Sequence, residues 1–326
     1  MFYEKPRFLV AGPPKKISKN VTLVRTAFLI HHQLRINSIL RFFNEIYEKA
    51  WINYTKNKID KTAVIVNFNY DYVFVKKVFS NNKIVTIIND DFICQARFNN
   101  GNHVKESLKI TCQASDQVLA VSHELVDQLS PYGNVELFLP WATSSYRIPN
   151  KNIYQRKKLL IWGFIDGRID EVFLQNIVEA HIEYEFLIVG PICDKFLPFI
   201  KKISERNQNI SLIGTKSLTK LPLDLILCAI VPYRIETRFG RSVTMLNKGF
   251  QLLSVGLPLI VRGMPNFIKS KCIFDVDCVS DFSYALFQVQ KNFNNLQSDI
   301  SHLVNVNSDE QRYREFIDHI KASHVN

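Results

Sequence analysis

The sequence predicts an α/β protein made of two Rossmann-like domains facing each other across a cleft. Three observations carry this. Short apolar runs alternate with longer helix-patterned segments along the whole chain. Those runs are continuous rather than alternating, which is how strands buried on both faces of a parallel sheet read. The alternation pauses once, at Pro140–Lys158 (PWATSSYRIPNKNIYQRKK), a polar stretch with two prolines and a basic end that reads as a linker. The pattern therefore predicts domains over residues 1–150 and 151–307, with a last helix in 308–326. A chain of 326 residues, 47% of them hydrophobic, is long enough for two cores.

In the first domain the apolar runs predict strands at Phe8–Ala11, Ala63–Phe68, Ile84–Ile88, Val118–Ser122 and Val135–Leu139. Leu34–Ala50 predicts a helix with Leu34, Leu40, Phe43 and Tyr47 on one face, and Val104–Ala114 a second. In the second domain strands are expected at Leu159–Trp162, Phe186–Val189, Ile210–Ile213, Ile226–Val231 and Pro258–Val261. Helices are expected at Asp170–Ala180, Lys195–Arg206 and Phe282–Phe293. Ser308–Ala322 closes the chain as a helix, with Ser308 and Asp309 suited to its N-terminus and Glu310 to its first turn. In open α/β sheets ligands bind at the C-terminal ends of the strands, so the loops there are where chemistry is expected.

The formal net charge is +11, which favours anionic partners such as a phosphorylated substrate or an acidic membrane surface. Lysine and arginine are dispersed rather than gathered into a stripe with interleaved aromatics, which speaks against a nucleic-acid binder. The six cysteines form no C-x-x-C pair and mostly sit in apolar runs, as reduced core residues do. The N-terminal residues show no signal-peptide pattern and no run spans a bilayer. This implies a cytoplasmic protein whose membrane contact is peripheral.

Three stretches of the second half could hold an anion. LLIWGFIDGRIDEVF (159–173) ends a strand at Trp162-Gly163, then brings Gly167 and Arg168 to a helix opening near Asp170. Glycine allows close backbone approach, a helix start offers free N–H groups, and arginine offers a fork for phosphate. An ordinary βα turn with a surface arginine reads the same way. A buried strand then breaks into Pro232-Tyr233-Arg234-Ile235-Glu236, followed by a polar loop with Arg238 and Arg241. Finally NKGFQLLSVGLPLI (247–260) reads as a short helix, a glycine stop and a buried strand, with a polar edge of Asn247, Lys248 and Gln251.

The order of WGFIDGRID, FLIVGPI, ISLIGTKSLTKLP, VPYRIE and NKGFQLLSVGLPLIV resembles the donor-binding half of the retaining GT-B glycosyltransferases of capsule and lipopolysaccharide biosynthesis. SDQVLAVSHEL, VELFLPWA and IINDDFICQARFNN with Glu106 resemble the acceptor half. The resemblance implies transfer of a sugar from a UDP- or GDP-linked donor to a polysaccharide or lipid-linked glycan, with no separate cofactor. It implies that Asn247 and Lys248 hold the diphosphate, that Gly163 and Arg168 supply the glycine-rich turn and a basic group, and that Lys216 borders the nucleobase. Tyr233 joins this donor set. Many members carry two glutamates eight residues apart here. This chain has Val243 and Gln251 instead, so the ribose contact falls to an amide that can accept and donate but brings no carboxylate. Glu236 is the nearby acid that could act at the sugar.

On the acceptor side, Asp90 and Asp91 follow a buried strand and would lie at the cleft mouth. Asp91 could orient an acceptor hydroxyl or act as a base; equally, it could cap the next turn. His31 and His32 point in different directions on either strand or helix, which makes a poor metal pair, so no metal site is expected. His32 near the cleft is the functional choice, and one packed plus one solvated histidine the structural one. AGPPKKISKN (Ala11–Asn20) reads as a basic loop, facing an anionic acceptor or simply solvated. No P-loop, H-E-x-x-H or G-x-S-x-G motif occurs. A non-catalytic GT-B paralogue binding a glycan or partner stays open because of Gln251, as does a nucleotide-sugar epimerase.

Overall fold

The computed structural model describes residues 2–8, 12–18, 21–30, 34, 37–56, 59–96, 100–143 and 152–322. Packing groups the chain into two units: Met1–Phe138 with Asp318–Asn326, and Leu139–Ile317.

The first unit opens with β1 (Phe2–Phe8), β2 (Gly12–Ser18) and β3 (Val21–Phe28), a three-stranded sheet in the order β1-β3-β2. β1 runs parallel to β3, and β2 antiparallel to it. The strand expected at Phe8–Ala11 is met only at Phe8, the last residue of β1; residues 9–11 lie outside the described ones. The loop expected at Ala11–Asn20 is instead largely strand β2. Ser18 pairs with Val21 at one end of the β2–β3 ladder, and β2 tolerates Pro13 and Pro14 because it is an edge strand. The pairing register shifts between Gly12 and Lys15, where the prolines sit.

Helix α1 (Ser38–Lys56) follows, but it is rotated from the sequence expectation. Asn44, Glu48 and Ile52 are buried, whereas Leu34 and Phe43 are exposed. The cause is a hydrogen bond: Asn44 Oδ1 accepts from the N–H groups of Leu29 and Ile30, where the chain leaves β3. Those donors need an acceptor, and satisfying them fixes the face α1 turns inward.

A separate sheet follows, from β4 (Val64–Asn67), α2 (Val75–Val78), β5 (Lys83–Ile88), α3 (Gly101–Gln113), β6 (Gln117–Ala120), α4 (His123–Leu129) and β7 (Val135–Leu137). The four strands are parallel and lie in chain order, β4-β5-β6-β7. Ile52, Phe74 and Ile84 centre one core of this unit, and Ile88, Leu108 and Val118 the other.

The second unit holds β8 (Lys158–Trp162), α5 (Glu171–Ala180), β9 (Glu185–Val189), α6 (Leu197–Arg206), β10 (Ile210–Gly214) and β11 (Ile226–Pro232). Then come α7 (Arg238–Arg241), α8 (Asn247–Ser254), β12 (Leu259–Arg262), β13 (Ile273–Asp275), α9 (Val279–Val306) and α10 (Asp309–Ala322), whose residues from Asp318 belong to the first unit. All six strands are parallel, in the order β10-β9-β8-β11-β12-β13. Counted from β8 this is 3-2-1-4-5-6, the doubly wound order whose direction reverses between β8 and β11. Every residue of β11 is buried, as its unbroken apolar run requires.

Helix α9 runs well past the expected Phe293, because its buried stripe continues through Leu296, Ile300 and Val304. Strand β13 was not expected. Of the cysteines, Cys112, Cys228 and Cys272 are buried as read; Cys94 and Cys193 are partly exposed, and Cys278 is exposed at the start of α9. Burial pushes the Cys112 thiol up to about 12. Among the described residues no helix is long and apolar enough to cross a membrane.

Candidate anion site at the switch point of the second sheet

The loop leaving β8 and the loop leaving β11 are zipped together. Asp170 N–H donates to Pro232 O at 2.9 Å, and Arg234 N–H to Arg168 O at 2.9 Å. This fixes Arg168 and Tyr233 beside each other at the point where the sheet reverses. Arg168 is oriented from below by Asp166, whose carboxylate accepts from Arg168 Nε at 2.9 and 3.1 Å and from its backbone N–H at 3.1 Å. The Arg168 guanidinium lies 5.6 Å from the centre of the Tyr233 ring and 5.1 Å from that of Phe239.

Helix α8 delivers the second cation. Lys248 sits in its first turn, with Nζ 4.8 Å from the centre of the same Tyr233 ring. Among the described residues no acidic side chain pairs with that ammonium. No side chain caps the N-terminus of α8 either: its N-cap is Leu246. Uncapped N–H groups and an unneutralised ammonium at one helix start attract an anion. Asn247 and Gln251, one turn apart, are both exposed along the same helix.

Glycines let the backbone close in beneath. A Cβ on Gly190, at the end of β9, would stand 1.8 Å from Gly163 O, and Gly190 has φ 144°. A Cβ on Gly163 would stand 3.4 Å from Lys248 Cδ, so this glycine leaves room for the lysine stem. Trp162 Nε1 donates to Lys216 O at 3.0 Å and ties the loop after β10 to the end of β8.

Behind the site, Arg262 acts as a buried strut. Its guanidinium stacks over Phe173 and donates to Asp170 Oδ2, Tyr233 O and Asp277 O. Asp170 caps α5 by accepting from Phe173 N–H. Burial pushes the Asp170 carboxyl up, but the Phe173 N–H and the Arg262 guanidinium outweigh it and hold it below the usual range.

The structure thus brings Gly163, Arg168, Tyr233 and Lys248 together, places Asn247 and Gln251 along the same helix, and links Lys216 through Trp162. Glu236 lies in the loop after β11 with φ 59°, a left-handed conformation that costs a non-glycine residue energy. Its carbonyl accepts from Arg241 Nη1 at 3.4 Å. Asp91 belongs to the first unit. It is buried, and its Oδ1 accepts from Cys94 N–H at 2.8 Å, the turn-capping arrangement. His32 lies outside the described residues. Sequence reasoning missed Asp166, Phe239, Gly190 and Arg262. Asp166-Gly167 carried a turn signal that could have marked the first.

No protein-family model matches the chain, and no curated protein matches it in sequence. Solved structures do, and they define the fold as that of the GT-B glycosyltransferases. The sucrose-phosphate synthase of Thermosynechococcus elongatus matches with a TM-score of 0.71 at 10% identity, over 99% of this chain and 89% of that one. The lipopolysaccharide outer core galactosyltransferase WaaB, in its apo form, matches with a TM-score of 0.62 at 11% identity, over 93% of this chain and 85% of that one. Anabaena Alr3699/HepE in complex with UDP and glucose matches with a TM-score of 0.64 at 9% identity, over 91% and 86%.

Proposed function

We propose that the protein is a glycosyltransferase that takes a sugar from a UDP- or GDP-linked donor and transfers it to a polysaccharide or lipid-linked glycan. The observation that carries this is the pair of cations, Lys248 and Arg168, converging on Tyr233 at the switch point, with Lys248 lacking any acidic partner among the described residues. Such a site suits a diphosphate. UDP and glucose in the HepE neighbour support the donor class.

In the reaction the bond between the anomeric carbon and the outer phosphate oxygen breaks, the anomeric carbon bonds to the oxygen of an acceptor hydroxyl, and that hydroxyl's proton passes to the leaving diphosphate. Charge grows on the leaving diphosphate. Lys248, Arg168 and the first N–H groups of α8 stabilise it in place, which is electrostatic catalysis without a dedicated cofactor. Gln251 hydrogen-bonds the ribose hydroxyls, Asn247 the diphosphate, and Lys216 borders the base. Glu236 acts at the sugar, its strained backbone being the kind of outlier found at functional loops. Asp91 and His32 serve the acceptor side. Transfer with retention, a role in surface polysaccharide synthesis, and work from the cytoplasmic face of a membrane complete the reading.

The test is release of nucleoside diphosphate from a panel of UDP- and GDP-sugars in the presence of a lipid extract as acceptor. Donor-dependent product with loss in Lys248→Ala supports the proposal. Nucleotide binding without product from any donor assigns the chain to the non-catalytic reading that Gln251 motivates. Absence of nucleotide binding refutes both.

A further inference from the structure

Helix α1 is turned the wrong way round for a helix that faces water. Its inward side carries Asn44 and Glu48, each about fully buried, while Ile39, Phe42, Phe43 and Ile46 are 65%, 58%, 55% and 51% exposed. These four stand at i, i+3, i+4 and i+7, so they form one stripe about 10 Å long. The Phe42 and Phe43 rings meet edge to face, 5.9 Å apart, and make a continuous apolar ridge. Scattered surface apolars need no explanation, but a helical stripe of four large ones does.

Charge identifies what covers it. Residues 1–61 hold 12 lysines and arginines against 4 acids, so +8 of the chain's +11 lies in the segment that contains α1. Lys15 and Lys16 of β2 are exposed. A protein partner for an apolar ridge needs no such excess. A bilayer with anionic headgroups uses both parts: the ridge enters the interface and the basic segment meets the surface potential.

We propose that α1 is an interfacial helix that seats the first unit on an anionic lipid surface through Ile39, Phe42, Phe43 and Ile46. This deepens the membrane part of the proposed function and rests on it only for its purpose, to present the chain to a lipid-linked acceptor.

The experiment is co-sedimentation of the full chain with vesicles of phosphatidylcholine alone and with added phosphatidylglycerol, at low and high salt. The expected result is binding to the anionic vesicles, weakened by salt, and little to the neutral ones. Phe42→Ser with Phe43→Ser lowers the partition coefficient at least about tenfold. Tyr284→Ser with Phe287→Ser, equally exposed aromatics of α9 in the second unit, leaves it unchanged. Both pairs are exposed, and far-UV circular dichroism confirms that each variant folds. Equal loss in both pairs, or no binding to anionic vesicles, overturns the proposal. So does self-association of the wild type that the Phe42/Phe43 pair abolishes without any vesicle binding, because the ridge is then a protein contact. Nucleotide binding measured on the same preparations separates this outcome from failure of the donor site.

Discussion

Replacing Lys248 by alanine tests the diphosphate site at α8. The lysine is partly buried, stacks on Tyr233, and has no acidic partner among the described residues, so a diphosphate would be its first counter-ion. Removing a hydrogen bond to a charged group costs about 1.5–3 kcal/mol, or roughly 10- to 150-fold in Kd. At a nucleotide concentration of 100 Kd the wild type gains about 2.7 kcal/mol of stability. A 30-fold weaker site then sees roughly 3 Kd and gains about 0.9 kcal/mol. For a unit the size of Leu139–Ile317 each kcal/mol moves Tm by about 2–4 °C. The thermal shift with UDP or GDP therefore falls from roughly 5–11 °C to roughly 2–4 °C. Without ligand, the lost cation–π contact lowers Tm by only about 1–4 °C. The assay is thermal denaturation with UDP, GDP, CMP and ADP. A Lys248→Ala chain that keeps the full wild-type shift refutes the placement of the diphosphate at α8.

Three further outcomes follow from the same geometry. Gly190→Ala puts a methyl group 1.8 Å from Gly163 O at a φ of 144°, so it should destabilise the second unit by about 3 kcal/mol or more; an unchanged Tm contradicts the close approach of the β8 and β9 loops. Gln251→Ala should weaken binding of a nucleoside diphosphate by about 0.5–1.5 kcal/mol and leave inorganic pyrophosphate unaffected; titration calorimetry with both ligands reads this, and equal losses remove Gln251 from the ribose. Because the Asp170 carboxyl is held below its unfolded value, its stabilisation is present above about pH 4 and lost as pH falls through the lower folded value. Asp170→Asn keeps an N-cap side chain but lacks this titration, so its stability should fall less than that of the wild type between neutral pH and pH 3 in denaturant melts.

The second unit was largely legible in the sequence because its strands are buried on both faces. Phe186–Val189 and Ile226–Val231 read as strands wherever they stand in the sheet. Burial left the chain little choice there. Where a few polar bonds decide, periodicity misleads. Leu40 and Phe43 mark an apolar face of α1, yet the acceptor on Asn44 turns the helix the other way. The far half of α9 was hidden by Asn294, Asn295 and Asp299 between its buried residues. At the site, Lys248 and Arg168 could be chosen from residue type and position. The ring that joins them was chosen only by its place in the loop, and the Asp166 and Arg262 supports depend on contacts across the fold that spacing does not encode.

The two prolines of β2 have a consequence beyond register. Neither Pro13 nor Pro14 has an N–H to donate, and both sit at the register shift of an edge strand. A proline pair on an edge strand denies a foreign strand the donors it would need to add there. A chain that concentrates positive charge and an apolar ridge in the same N-terminal segment would otherwise carry a third adhesive feature there. The proline pair thus acts as a guard against edge-to-edge aggregation, and replacing both with valine is the change by which that guard would be lost.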